Sequence, residues 1–334
     1  MVHKIDWKVF YRLTPALYWL FVGLTAATYF IGTSTNDAAR WIAIGSIQFQ
    51  PSEGLKVMTI LMLARRMSTR QGNINKIHLL PTSFRITEPQ QMRIIRENTW
   101  PLVGPVLLSC GVVVTAHTSS AVLIFIASLI MLYIGRVRIR ELMKLTAVAC
   151  VLGILLMSVL RIGRADVAGG RLSTWVKEWT TSEVPRNSYS MSDTQRAMIA
   201  IREGGLFGEG AGHSTTRALV THPESDYAYS FFISEYGLVI ALILMMLYLW
   251  IFFRSIEIFR ACSVPFPALM TLGLGLLVTC QALLHIMVQV NLIPETGQNL
   301  PLISRGGSSL LFTTLTLGMI LSVSRTNELG EGRA

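Results

Sequence analysis

Long apolar runs alternate with shorter polar segments along the whole chain. Eight apolar runs reach or approach the length of a membrane-crossing helix: residues 13–31, 53–67, 101–116, 119–135, 143–160, 229–253, 266–290 and 308–324. Such a helix needs roughly 17–25 apolar residues, and its backbone hydrogen bonds must be satisfied internally. The pattern predicts an all-α, polytopic membrane protein of about eight transmembrane helices, with residues 1–334 forming a single membrane domain.

Composition agrees with this prediction and excludes an ordinary soluble domain. Hydrophobic residues make up 51% of the chain and charged residues only 14%, whereas soluble domains carry roughly 25% charged residues. The formal net charge of +10 lies largely in short loops between apolar runs. That placement is typical of anchoring at the inner leaflet and not of nucleic-acid binding. The four cysteines show no paired spacing, so neither a disulfide framework nor a zinc site is predicted.

Basic loops predict the orientation. The segment before the first apolar run and the loops 65–96 and 136–144 are rich in Lys and Arg, and such loops stay on the cytoplasmic side. Alternation from these loops places both termini in the cytoplasm. It places the segments 32–52, 161–228 and 291–307 outside.

The 161–228 segment is the predicted long extracytoplasmic loop. Loops of this length in a compact protein are usually binding surfaces or disordered, and this one does not have a disordered composition. A helix is expected inside it, because Ser192 and Gln195 have the spacing of a capping box and Gly204 can end a helix. Trp175 and Trp179 suit a membrane interface.

The second apolar run begins with ionisable residues that follow Arg40 in the chain. Ser52 is expected to cap the helix, and Glu53 and Lys56 lie one turn apart on the same helix face. Two interpretations stay open. The two charges can neutralise each other as an ion pair, or they can line a substrate path, because ionisable groups inside membrane spans are costly and often functional.

Glycines cluster in residues 204–214, which include Gly205, Gly210 and Ser214. Their spacing fits neither the dinucleotide nor the P-loop pattern. They are expected to permit tight turns or the close approach of another surface, such as a lipid-linked pyrophosphate.

Asp226 stands at the start of the sixth apolar run. Ser225 is expected to cap that helix, which would put Asp226 in the first helical turn, where an acid stabilises the helix dipole. The same position at the outer membrane surface also suits a general base. His213 and His222 lie nearby, but no recognised ligand spacing supports a metal site.

Residues 291–309 form a polar segment, rich in proline and glycine, between two apolar runs. Because lipid cannot satisfy the hydrogen bonds of such a backbone, the segment must be buried in protein or line a cavity. A re-entrant or cavity-lining loop is therefore expected.

In this order, the four clusters resemble the SEDS family of FtsW, RodA and SpoVE, from about residue 36 to Arg325. The strongest matches are Arg40-Trp41 with residues 50–53, the glycine cluster, Asp226, and residues 294–309. The resemblance implies a peptidoglycan glycosyltransferase of the bacterial cytoplasmic (inner) membrane that polymerises lipid II into glycan strands. It also implies a class B penicillin-binding protein transpeptidase and other division proteins as partners. The segments 304–307 and 226–227 favour the division type.

The resemblance also implies roles for individual residues. Asp226 matches the essential loop aspartate of the family and would act as the general base. Candidate substrate-binding residues are Arg40, Glu53, Lys56, Gln195, Gly205, Gly210, Ser214, Glu235, Thr296, Gly297, Ser304, Arg305, Gly306 and Ser308. The leaving pyrophosphate would be stabilised by cations such as Arg40, Lys56, Arg217 and Arg305, or by a divalent cation, Mg²⁺ or Mn²⁺. No protein metal site is predicted.

Several positions depart from the family pattern. Family members usually have ten spans, and this chain begins where their third would start. Residues 116–121 replace a Gln-Pro-Asp-x-Gly-Thr element, His285 replaces a common Asn, and Ser234 replaces the first member of an acidic pair, leaving Glu235. Two alternative functions therefore stay open: a lipid II translocase (flippase), and a non-catalytic scaffold for a class B penicillin-binding protein. A translocase should show broken helices in paired halves, and the sequence has no such symmetry.

Overall fold

A computed structural model describes residues 2–31, 33–35, 38–44, 47–72, 97, 99–114, 117–159, 164–180, 191–215, 217, 220 and 223–331. The α-helices in these ranges are α1 Trp7–Ile31, α2 Pro51–Ser68, α3 Trp100–Val114, α4 Thr118–Ile134, α5 Ile139–Val159, α6 Arg164–Thr180, α7 Asp193–Gly204, α8 Ala228–Ala261, α9 Pro265–Gln289 and α10 Gly307–Glu331. Each predicted apolar run coincides with one helix. Helices α6 and α7 lie in the predicted long loop.

Length and apolar composition identify the clearest membrane spans. Helices α1, α8, α9 and α10 are long and apolar enough to cross a membrane, whereas α3 and α4 are apolar but shorter. Together they confirm the prediction of a helical, multi-pass membrane protein.

A small antiparallel sheet lies between α1 and α2 in the chain. This sheet is not predicted from the sequence. Its strands are β1 Thr33–Thr35, β2 Ala38–Ile44 and β3 Ile47–Phe49, in the order β1-β2-β3. Ile42 pairs with Phe49 and Thr33 with Trp41. The β-branched and aromatic residues favour this conformation, but strands this short leave little alternation to detect.

Packing divides the chain into two compact units. The first contains Met1–Ile162, Phe252–Leu277 and Leu311–Ala334, and the second contains Gly163–Ile251 and Val278–Leu310. The prediction of a single domain stays a prediction.

In the first unit, α2 is buried along nearly its whole length and contacts α1, α3 and α4. The small residue Gly273 of α9 permits close helix packing in this unit. A Cβ there would lie 2.7 Å from the Ile60 side chain and 2.5 Å from the sulfur of Met131. Small residues at such contacts let helix backbones approach, as is common in membrane proteins.

In the second unit, the predicted capping box of α7 is confirmed. The Ser192 hydroxyl accepts from the Gln195 backbone N–H at 3.2 Å, and the Gln195 side chain accepts from the Ser192 N–H at 3.1 Å. Helix α7 ends at Gly204, as predicted. Its buried Ala197 and Ala200 pack with Tyr227 and Phe231, which brings α7 against the start of α8.

Candidate active site around Asp226

Asp226 lies in a turn formed by residues 223–227, immediately before α8 begins at Ala228. The prediction that Asp226 occupies the first helical turn, with Ser225 as its cap, is therefore wrong. The backbone of this turn bonds to the segment that precedes α10, and this holds it outside the helix. The Asp226 side chain is partly exposed.

Ser304 and Arg305 fasten the turn from the segment that precedes α10. The Ser304 hydroxyl donates to the Ser225 carbonyl at 2.8 Å, and the Arg305 backbone N–H donates to the Glu224 carbonyl at 2.9 Å. The Arg305 guanidinium also lies 3.2 Å from a Glu224 carboxylate oxygen, although its side chain is 82% exposed. Two predicted site residues are therefore brought directly to the Asp226 turn.

Gln289, at the end of α9, holds the same turn from a second helix. Its Nε2 donates to the Asp226 carbonyl at 2.8 Å, and its Oε1 accepts from the Ser230 hydroxyl at 2.7 Å. Gln289 is not among the residues predicted from the sequence. A polar residue inside an apolar run is the signal that could have found it.

Tyr227 and Glu295 make a further contact beside Asp226, and neither the residue pair nor the contact is predicted from the sequence. The Tyr227 hydroxyl donates to Glu295 Oε1 at 2.7 Å. Burial, and then the adjacent Glu295 carboxylate, raise the pKa of Tyr227, because both disfavour a phenolate. Tyr227 therefore acts as a neutral donor at physiological pH.

Protein groups satisfy much of the backbone of the 291–306 segment, as expected for polar chain between apolar runs. The indole N–H groups of Trp175 and Trp179 donate to the Asn291 carbonyl at 3.1 and 3.0 Å. His285 Nδ1 lies 2.6 Å from the Gln298 carbonyl, and Gln281 Nε2 donates to the Asn299 carbonyl at 3.0 Å. The His285 that departs from the family pattern thus supports this segment.

The other candidates of this segment lie within the same framework. Gly297 has a positive φ of 55°, Thr296 is partly exposed, and Ser308 is buried in the first turn of α10. A Cβ at Gly306 would lie 2.5 Å from the Asn299 side-chain nitrogen. The substrate-binding roles of these four residues stay predictions.

The glycine cluster packs against a break in α8. Gly237 has φ 84° and ψ 166°, so the helical hydrogen-bond ladder is interrupted there. The backbone N–H groups of Glu209 and Gly210 donate to the carbonyls of Ser234 and Glu235 at 2.9 and 3.0 Å. Beyond the break, the N–H of Leu238 donates to the Gly205 carbonyl at 3.0 Å, and that of Val239 donates to the Leu206 carbonyl at 3.3 Å. The loop therefore supplies hydrogen bonds at the position where the helix loses its own.

Only glycine permits this approach of two backbones. A Cβ at Gly204 would lie 2.6 Å from the Ser234 Cα, and one at Gly208 would lie 2.6 Å from the Glu235 carbonyl carbon. The expectation that these glycines permit tight turns and a close approach is confirmed, and α8 is the surface approached. Whether Gly205 and Gly210 also bind substrate stays a prediction.

Polar side chains extend this contact. Arg217 lies 2.8 Å from Glu235, whose side chain is only 11% exposed. The hydroxyl of Ser234, which replaces an acidic residue of the family, donates to the Ser214 hydroxyl at 2.9 Å. The Gln195 side chain is already hydrogen-bonded within the capping box of α7.

The remaining candidates belong to the first unit. Lys56 Nζ lies 2.7 Å from Glu53, and their side chains are 2% and 9% exposed. Of the two interpretations left open, the ion pair is present in the structure, and the substrate-path role stays a prediction. The prediction that Ser52 caps α2 is wrong. The cap position is Gln50 and the helix begins with Pro51, whose fixed φ suits a first turn.

Other predicted residues fall partly or wholly outside the description. Arg40 lies on β2, but its side chain lies outside the described part, as does His222. His117, in the altered 116–121 element, caps α4, because its Nδ1 accepts from the Ser120 N–H at 3.3 Å. Among the described residues, no group of three or more His, Cys, Asp or Glu side chains converges.

Known proteins are similar to this chain in both sequence and fold. A model of the FtsW, RodA and SpoVE family, described as "Cell cycle protein", matches residues 1–329. The Bacillus subtilis stage V sporulation protein E is 27% identical over 88% of this chain and 74% of its own length. A probable peptidoglycan glycosyltransferase FtsW of Caulobacter vibrioides is 29% identical over 96% of this chain and 76% of its own.

Solved structures show the same fold. A chain from a study of how a peptidoglycan synthase complex coordinates polymerization and crosslinking aligns with a TM-score of 0.67 at 21% identity, covering 98% of this chain and 84% of that one. Thermus thermophilus RodA aligns with a TM-score of 0.60 at 23% identity, covering 98% and 82%. A family match over nearly the whole chain, on a helical multi-pass fold, shows that this bacterial membrane protein belongs to the FtsW/RodA/SpoVE family of cell cycle proteins.

Proposed function

We propose that this chain is a peptidoglycan glycosyltransferase of cell division that polymerises lipid II, with Asp226 as the general base. The observation that carries the proposal is the Asp226 turn. A partly exposed carboxylate stands on backbone that is fastened by Gln289 on one side and by Ser304 and Arg305 on the other. A catalytic group held in this way keeps its geometry without reorganising during the reaction.

The chemistry requires one base. The Asp226 carboxylate would take the proton of an acceptor sugar hydroxyl while the hydroxyl oxygen forms a bond to the anomeric carbon of the donor. The bond from that carbon to the lipid pyrophosphate breaks, and the pyrophosphate leaves with the electron pair. Attack from the face opposite the leaving group inverts the linkage. Because pyrophosphate leaves as an anion, no second carboxylic acid is needed to protonate it.

Arg305 is the cation best placed to stabilise that anion. Its guanidinium stands next to the Asp226 turn and is 82% exposed, so its contact with Glu224 leaves donors for a phosphate oxygen. Arg217 is engaged by the mostly buried Glu235, and Lys56 by Glu53. These two cations are less available.

A divalent cation is also compatible with the turn. Mg²⁺ keeps several waters and is commonly held by one or two carboxylates together with substrate phosphates. Asp226 would supply the carboxylate, because Glu224 is already paired with Arg305. The bound ion would supply positive charge to the pyrophosphate, and loss of polymer in EDTA with recovery in Mg²⁺ or Mn²⁺ tests for it.

The positions of the basic loops support a setting for the reaction. We place the Asp226 turn and residues 161–228 on the outer face of the cytoplasmic membrane, with both termini in the cytoplasm. A class B penicillin-binding protein would crosslink the product there. Cysteine accessibility tests this orientation, because a cysteine replacing exposed Phe207 should react with an impermeant reagent in whole cells and one replacing exposed Arg254 should not.

The decisive experiment gives labelled lipid II to the purified protein together with its transpeptidase partner. Wild type should make glycan polymer, and Asp226→Asn should reduce the rate by about 10²–10⁴-fold. Asp193→Asn is the matched control, because it removes a carboxylate from the same loop at a side chain paired with Arg196, and it should retain activity. Equal polymer from wild type and Asp226→Asn would remove Asp226 from the mechanism. No polymer from wild type would favour a scaffold or a translocase.

A further inference from the structure

Gln289 is a buried polar residue of the largely apolar helix α9. It lies at the end of α9 and is 1% exposed. Its partner Ser230, on α8, is 0% exposed. Burying an amide and a hydroxyl is unfavourable unless their hydrogen bonds are made within the protein. Here each group makes such a bond.

The chemistry of the partners fixes the orientation of the amide. The Asp226 carbonyl can only accept a hydrogen bond, so the Gln289 nitrogen must face it at 2.8 Å. The amide oxygen then faces Ser230, whose hydroxyl must donate across 2.7 Å. A flipped amide would lose the hydrogen bond to the Asp226 carbonyl, whereas the Ser230 hydroxyl could still accept one from the amide nitrogen. The Asp226 carbonyl therefore determines the orientation of the amide, and Ser230 holds the other end of the side chain.

The bridge acts on the backbone that carries the proposed catalytic carboxylate. Ser304 and Arg305 hold the carbonyls of Ser225 and Glu224, and Gln289 holds the next carbonyl along the chain. Three consecutive peptide units are thus fixed by side-chain or backbone donors. The peptide that follows Asp226 depends on Gln289, which is the only one of these donors that comes from α9.

We propose that Gln289 is a positioning residue for Asp226, anchored at its other end by Ser230, an inference that rests on the proposed function. Gln289 does not touch substrate. It fixes the carbonyl of Asp226 and thereby the direction in which the carboxylate leaves the backbone. Because a displacement of about 1 Å can cost about a hundredfold in rate, loss of the bridge should act on the chemical step and not on substrate binding.

The test compares Gln289→Met and Ser230→Ala with wild type in the lipid II assay. Methionine keeps the length and apolar stem of glutamine but cannot donate. Gln289→Met should lower kcat by about ten- to a hundredfold with KM changed by less than about twofold. Ser230→Ala should lower kcat by a smaller factor. The double variant should be no slower than Gln289→Met alone, because both substitutions break the same hydrogen-bonded bridge from Ser230 through Gln289 to Asp226.

Thr279→Val is the matched control. Like Gln289, Thr279 is a buried polar residue of α9. Its hydroxyl donates to the Tyr248 backbone carbonyl on α8 at 3.1 Å. Its loss should lower the melting temperature but leave kcat within about twofold of wild type. If Gln289→Met accumulates poorly, the kcat of Ser230→Ala is compared with that of wild type and of Thr279→Val instead.

The outcomes separate the inference from the proposed function. An active wild type, an inactive Asp226→Asn and a Gln289→Met kcat equal to that of Thr279→Val would overturn the positioning role and leave the function standing. Additive losses in the double variant would also overturn it. A wild type that makes no polymer would overturn both.

Discussion

The Tyr227 hydroxyl donates a 2.7 Å hydrogen bond to Glu295 Oε1, and so joins the residue next to Asp226 to the segment between α9 and α10. The two residues are separated by 68 positions in the chain. Because the acceptor is a carboxylate and Tyr227 is only 3% exposed, this bond should contribute about 1.5–3 kcal/mol to stability.

Tyr227→Phe should therefore lower the melting temperature at neutral pH, and the deficit should shrink at high pH. The pKa of Tyr227 is raised by burial and by Glu295, so the folded protein favours the neutral phenol. Its contribution to stability is complete below the ordinary tyrosine pKa of about 10 and is lost above it, where the unfolded chain ionises. Melting curves of wild type and variant at pH 8 and pH 10.5 measure this change.

Tyr236→Phe is the control for this pH dependence. Tyr236 lies on α8 and is 41% exposed, so its hydroxyl should contribute little to stability at either pH. A deficit in Tyr227→Phe that stays constant between the two pH values would contradict the coupling to ionisation.

The break in α8 gives a prediction about glycine. Gly208 has a positive φ of 80°, and a Cβ there would meet the Glu235 backbone at 2.6 Å. Gly208→Ala should cost about 1–2 kcal/mol for backbone conformation and about 1–3 kcal/mol more for the clash. Thermal unfolding in detergent measures the sum.

Gly212→Ala separates the two costs. Gly212 has a similar φ of 78°, but nothing lies within 4 Å of its Cβ position. It should show only the conformational cost. Equal destabilisation by the two alanines would mean that the close contact between the glycine cluster and α8 does not contribute to stability.

Features that depend on residues close together along the chain could be predicted from the sequence. The apolar runs gave the helices, the Ser192 and Gln195 spacing gave the capping box, and Glu53 and Lys56 pair within one turn. Each of these rests on contacts within four residues or on the solvent preference of a continuous segment. Such information is present in any short window of sequence.

The Asp226 turn depends on partners that a local pattern cannot connect. Gln289 is separated from Asp226 by 63 positions and from Ser230 by 59, and Ser304 lies 79 positions from Ser225. These long-range bonds also explain why the Ser225 cap prediction failed. The carbonyl of Ser225 is used by Ser304, and the turn stays outside the helix.

Arg305 should matter for activity far more than for stability. Its ion pair with Glu224 involves an 82% exposed side chain, and such surface pairs contribute at most about 1 kcal/mol. Arg305→Gln should therefore leave the melting temperature nearly unchanged and lower the polymerisation rate. Glu224→Gln breaks the same pair but leaves the cation in place. If both variants lose the same activity, the ion pair is what matters, and anion stabilisation by Arg305 is contradicted.

The buried ion pair of α2 should behave in the opposite way. Glu53 and Lys56 are 9% and 2% exposed and 2.7 Å apart, so removing one residue takes away the counter-charge of the other at a place where water is scarce. Glu53→Gln or Lys56→Met alone should cost about 3–5 kcal/mol, and the double variant should recover most of it, because a buried pair can often be replaced at little cost.

The double variant also separates the two roles that stay open for this pair. Melting temperature and polymer yield per folded molecule should be measured on the same preparations. Recovered stability with full polymer would assign Glu53 and Lys56 a structural role, since neither charge would then be needed by the substrate. Recovered stability without polymer would mean that the charges act on lipid II beyond neutralising each other. A double variant as unstable as either single one would contradict the ion-pair account, because the loss would then come from packing and not from a missing counter-charge.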